Sequence, residues 1–171
     1  MASIFNINNW ATSTIYSKNS IVKNGSYYYY ALVRHTSTTF SSDSALGYWG
    51  GTISDSGVTL PLFLWTPSYS LAADFQPVIK TIKFGDGYEQ SLEDGLFNTL
   101  LNFNITFDNR DLDETTAILH FLYERKGAKS FVWISPAPYS AQKRFKCKQW
   151  SSKQNFYNDF SMNAVFNETV K

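Results

Sequence analysis

The chain has 171 residues, enough for one ordinary domain or two small ones, and a formal net charge of +1. That balance excludes the electrostatic footprint of a nucleic-acid or anionic-membrane binder, and no apolar run approaches the ~20 residues that span a bilayer. Aromatic residues make up 18% and charged residues 17%, a composition that predicts thin, ring-filled cores and a sparsely charged surface suited to assembly.

The chain opens on Met1-Ala2-Ser3-Ile4-Phe5, with no basic region leading into an apolar stretch, so no secretion signal is expected. Residues 1–56 are rich in Ser, Thr, Asn and Tyr and carry only Lys18, Lys23, Arg34, Asp43 and Asp55 as charges. They read as a small aromatic-rich, three-stranded β module. Asn24-Gly25 between Ile21-Val22 and Ser26 to Tyr30 is a hairpin signal, since both residues tolerate positive φ. The run Gly50 to Gly57 has turn and linker composition, which predicts a connector over 57–61 between the module and a second domain, 62–171.

The second segment has longer periodic elements. Leu62 to Trp65 reads as a short apolar strand stopped by Pro67, and Pro77 to Phe84 as a strand begun at its proline. Gly85-Asp86-Gly87 then turns the chain, because two glycines allow φ > 0 and Asp86 can bond its own backbone. Leu101, Phe103, Ile105 and Phe107 alternate with Asn102, Asn104 and Thr106, the period of a half-buried strand.

One helix is predicted over about 112–126. Asp111 and Glu114 form an acidic capping pair, Asp113 adds charge to the first turn, Ile118, Phe121 and Leu122 share a face, and Gly127 supplies a left-handed stop. Lys143, Arg144, Lys146 and Lys148 interleave with Phe145 and Cys147 as an amphipathic strand, and Phe160 to Phe166 alternates as the closing one. Strands, one helix, then more strands predict a mainly β sandwich or split barrel with one packed helix.

These motifs bring a family into view. Phe84-Gly85-Asp86-Gly87-Tyr88-Glu89-Gln90 resembles the F-G-D-G-Y-x-Q signature of the lambda-like minor tail protein M family of bacteriophages. Phe121-Leu122 with Gly127, Lys129 to Trp133 with Pro136, Lys146 to Ser151, and Phe160 to Glu168 resemble its later segments in order and spacing. The resemblance covers about residues 62–169. It implies a tail-tube-like β-sandwich in the virion, a homo-oligomeric ring, commonly a hexamer, between the tail tube and the hub that carries the receptor-binding apparatus. Tail-tube, tail-tip and hub proteins would be its partners, and no cofactor or membrane is implied. The turn at Phe84 to Tyr88 marks the family and reads as conformational.

The first segment resembles another group. Trp10, Tyr16, Ile21-Val22, Gly25, Tyr28, Tyr30-Ala31 and Trp49 follow the frame of small chitin-binding carbohydrate modules. Those modules present an exposed Trp after the Y-x-A strand, where this chain has Val33, Arg34 and His35. Trp10, Tyr30, Tyr48 and Trp49 stand as candidates for stacking a cell-surface glycan, against the reading that such rings form the core of so small a unit. A free carbohydrate-binding adhesin is the alternative to a ring subunit.

An enzyme is not expected. His35 and His120 lack metal-ligand spacing, and Asp111, Asp113 and Glu114 are better explained as a helix start. Glu89, Glu93 and Asp94 could be offered as a glycosidase pair but read as a solvated loop. Lone Cys147 has no intrachain disulfide partner and falls on a strand as a small buried hydrophobe. The strand of Lys143, Arg144, Lys146 and Lys148 suggests a nucleic-acid face. However, residues from 60 onward carry 12 basic and 12 acidic side chains, which favours a subunit contact or lumen wall instead.

Overall fold

Alternation of large apolar and small polar residues builds most of this molecule. The computed structural model describes residues 4–69, 71–75, 77–93, 95 and 99–170. In chain order it has β1 (Ile15–Tyr16), β2 (Ile21–Asn24), β3 (Tyr27–Ala31), β4 (His35–Thr36), α1 (Phe40–Ala45) and β5 (Trp49–Gly50). Next come β6 (Thr52–Asp55), β7 (Val58–Phe63), β8 (Ala72–Phe75), β9 (Ile79–Lys83) and β10 (Glu89–Glu93). The chain closes with β11 (Leu101–Arg110), α2 (Leu112–Arg125), β12 (Phe131–Ile134), β13 (Gln142–Phe156) and β14 (Asp159–Glu168).

Seven strands form the main sheet in the order β6-β7-β12-β13-β14-β11-β8. Its neighbours are antiparallel except β12 and β7, which run parallel. The sheet does not close into a barrel, so β6 and β8 end it with one edge each unpaired among the described strands. The fold is the expected mainly β sandwich with a packed helix.

Phe103 lies opposite Phe166, which lies opposite Cys147 across the next strand. This row and its neighbours Ile105, Phe107, Phe131, Trp133, Phe145 and Met162 point to one side and are buried. Helix α2 covers that side with Ala117, Ile118, Phe121 and Leu122. Its N-cap is Asp111, whose carboxylate accepts the Glu114 N–H at 2.7 Å, and it ends with Lys126 at φ 51° and Gly127 at φ 68°. A β-bulge between Cys147 and Gln149 shifts the register, so Trp150 faces Ala164 and packs against the core.

Three features differ from the sequence expectation. Residues 50–63 form no open connector: β6 and β7 make a hairpin, and β7 continues into the main sheet beside β12. The glycines there serve close packing. A Cβ on Gly51 would stand 2.7 Å from the Tyr28 carbonyl, and one on Gly50 would stand 2.6 Å from a methyl of Leu64. The first hairpin turns one residue later than expected, on Gly25 and Ser26 between the paired Asn24 and Tyr27. The N-terminal segment also holds α1, capped by Thr39, and a second small sheet of β1 with β4, besides the expected three strands β2-β3-β5.

Phe63 is central to the core, with ring contacts to Trp65, Phe107, Phe121, Phe131 and Phe166 at 5.0 to 6.0 Å. Phe63→Ala is expected to cost ~3–5 kcal/mol by urea unfolding. Phe156→Ala, at an exposed hairpin tip, should stay within ~0.5 kcal/mol. Equal costs would remove Phe63 from the centre of the core.

Candidate functional site

Strand periodicity decides where the candidate aromatics go. Successive side chains of β3 point to opposite faces, so Tyr28 and Tyr30 turn towards α2 while Tyr29 and Ala31 turn into the small N-terminal cluster. Tyr30 is 3% exposed and belongs to the main core, with its ring edge-on to Trp65 at 5.0 Å. Trp49, 7% exposed, centres the small cluster with Val22 and Ala31. Half-buried Trp10 meets Phe40 edge-on, and half-buried Tyr48 packs on His35. The four candidate rings therefore divide between two cores, and Tyr30 and Trp49 offer no open face to a sugar.

The polar contact at the junction is made by His120, which is fully buried on α2. The Tyr30 hydroxyl lies 3.1 Å from its Nδ1, and the rings of Phe5 and Tyr28 stand edge-on to the imidazole at 5.4 and 4.6 Å. Nε2 finds no hydrogen-bond partner among the described residues. Burial, aided by the Arg125 cation, lowers the imidazole from its usual 6.5 to about 4, and burial also raises the Tyr30 hydroxyl. Both groups are neutral near pH 7. His120 thus ties the first segment to the second, which its sequence neighbours Leu119 and Phe121 could not reveal.

The basic strand is partly committed within the chain. Lys143 donates to Glu168 at 2.7 Å, and Arg144 donates through Nε to Asp55 at 2.6 Å. Lys146 and Lys148 remain on the outward side of β13, Lys148 exposed and Lys146 half-buried. The outward face beside them is polar but largely uncharged. Asn167 donates to Asn102 and Asn104 donates to Asp74, both at 2.8 Å.

The carboxylates of the enzyme reading are accounted for structurally. Asp111 caps α2 and Glu114 pairs with Arg110 at 2.8 Å. Glu89 and Glu93 lie on an exposed strand, and Asp94 lies outside the described residues. Cys147 is buried, and its thiol is pushed up to about 11 by that burial, which suppresses the thiolate needed for nucleophilic chemistry. Among the described residues no group of three His, Cys, Asp or Glu side chains is placed to hold a metal ion.

The Phe84 to Tyr88 turn forms the tip of a separate ribbon. Among the described residues β9 and β10 pair only with each other, from Ile79 opposite Glu93 to Lys83 opposite Glu89. The Phe84 N–H donates to the Tyr88 carbonyl at 2.7 Å, closing a short 3-10 turn in which Asp86 has φ 66° and Gly87 φ 78°. Every described residue of this ribbon is exposed.

Comparison with known proteins decides what this architecture is for. A family described as phage minor tail protein matches residues 61–170. The chain belongs to that family. Tail tip protein M of Escherichia phage lambda is 32% identical over 109 residues, 63% of this chain and 96% of the relative. The matched region holds the main sheet from β7 onward, α2 and the ribbon. Membership places the protein in the virion tail, with a structural role.

The buried imidazole makes stability depend on pH. The folded group titrates near 4 and the unfolded one near 6.5, so the unfolded chain binds more protons between those values. Stabilisation present above pH 6.5 is lost as pH falls towards 4, by at most ~1.4 kcal/mol per pH unit. His120→Gln, which keeps a hydrogen-bonding group but cannot titrate, should show a smaller fall in melting temperature between pH 7 and 5. Parallel falls in the two proteins would exclude His120 as the cause.

Proposed function

We propose that this chain is a ring-forming structural subunit of the tail tip of a long-tailed phage, seated between the tail tube and the receptor-binding hub. The carrying observation is the family match over residues 61–170, together with a relative whose name places it at the tail tip. The architecture supports assembly, since the main sheet leaves both end strands unpaired among the described strands and a two-stranded ribbon stands clear of the body. Six copies in the ring are the number the family resemblance favours. Other tail proteins are the natural partners of its two rims.

The same reading assigns the protein no chemistry of its own. Its acidic cluster caps a helix, its thiol is buried and His120 is neutral. Residues 1–56 act as a decorating unit fixed to the ring domain. Two attachments support this: Tyr30 within the main core, and the Trp65 indole N–H donating to Asn19 at 3.2 Å. Glycan contact by this unit, and the free adhesin alternative, draw no support from Tyr30 and Trp49, whose rings are enclosed.

Cryo-electron microscopy of tails carrying a small tag after Val170 tests the placement. Extra density should appear as a ring at the distal end of the tube. Density along the shaft, or none on intact tails, would overturn the tail-tip assignment.

A further inference from the structure

The β9–β10 ribbon breaks two rules that soluble folds obey. An isolated two-stranded hairpin is at best marginally stable in water, and among the described residues this one pairs with no third strand and packs extensively on no other element. It also presents an apolar face to solvent. Lys80, Ile82, Gln90 and Leu92 share one side by register, and the alternation continues into Phe84, 49% exposed, and Tyr88, 69% exposed. The other side carries Thr81, Ser91 and the cross-strand pairs Lys83 with Glu89 and Ile79 with Glu93.

The same chain holds a surface of matching character elsewhere. β8 ends the main sheet, its outer edge unpaired among the described strands, and Phe75 is exposed on it. β8 has neither a lysine nor a proline, and its edge is blunted only by its four-residue length and by Asp74. An open groove of about 890 Å³ adjoins it, lined by Pro67, Tyr69, Leu71, Pro136 and Ala137 among others. The margin carries Asp74 and Asp108 as carboxylates and Arg110 as a cation. Asp74 accepts from Asn104, and Arg110 is held by Glu114 and the Thr66 carbonyl.

We propose that the ribbon of one copy docks on the β8 edge and adjoining groove of a second copy of this chain. Several observations select that occupant. Ribbon and margin are different surfaces of one chain, each with an unpaired strand edge and exposed apolar side chains. The ribbon's strands are balanced, Lys80 and Lys83 against Glu89 and Glu93, and the charge on its apolar side is Lys80, opposite in sign to Asp74 and Asp108 at the margin. Five residues per strand give a ribbon about 17 Å long, enough to span a four-residue edge strand and reach past it. Because the two surfaces differ, the contact is head-to-tail, the kind that closes into a ring when the rotation allows. The inference rests on the ring reading above and adds the contact that builds it.

Photocrosslinking in assembled tails tests the contact. With p-benzoylphenylalanine in place of Tyr88, illumination should produce a covalent dimer of this chain, and its linked peptide should map to residues 67–75 or 136–137. A link to another tail protein, a dimer through other residues, or no adduct would each overturn the proposal. The tagged-tail images fail or succeed separately, so a ring at the tip without this crosslink rejects the contact alone. As a second readout, Ile82→Asp with Leu92→Asp should leave the melting temperature within about 2 °C while lowering incorporation into tails at least 10-fold. Undiminished incorporation would count equally against the ribbon.

Discussion

Edge-to-face packing of Phe63, Phe121, Phe131 and Phe166 is the interaction on which the rest of the molecule depends. These four rings come from β7, α2, β12 and β14, with centroids 4.9 to 6.0 Å apart. Aromatic pairs at such angles add stabilisation beyond the area they bury. Here they also fix relative positions. β7, parallel to β12, delivers Phe63 to this cluster, and α2 delivers Phe121. Once the helix is anchored there, His120, one residue earlier, is carried towards the N-terminal segment and meets Tyr28 and Tyr30.

That arrangement explains why Tyr30 and Trp49, two of the four candidate rings, are closed to a ligand. Period-2 alternation on β3 sends Tyr30 into the main core, and Trp49 fills a second core too small to manage without it. The two cores share one strand, so the first segment is tied to the second through side chains as well as through the backbone. Asp55 strengthens the join by accepting from Arg144, 89 positions along the chain. A first segment held in this way is oriented by the second.

Local patterns were legible in the sequence and distant partners were not. The alternation of β11 and β14, the Asp111 cap and the Gly127 stop all follow from rules that act within one or two turns. Gly50 and Gly51 misled because a linker glycine and a packing glycine have the same letter. Only the fold shows the Tyr28 carbonyl against Gly51. The partners of Lys143 and Arg144 lie 25 and 89 positions away, so their charges looked free. Of the four aromatic candidates, Tyr30 and Trp49 went where their side of a strand sent them.

The ribbon is where local and global consistency part. Its turn obeys every local rule, with positive φ at Asp86 and Gly87 and a closing hydrogen bond from Phe84 to Tyr88. Its place in the isolated chain obeys none, since Ile82, Leu92, Phe84 and Tyr88 remain in water. Natural sequences concentrate such conflicts at functional positions. A turn with purely conformational work could sit on strands of Thr and Lys at no cost in apolar exposure. On the proposed docking, Phe84 and Tyr88 on either side of Gly85-Asp86-Gly87 are the rings that the neighbouring copy would bury, and the turn's conformational role is to present them.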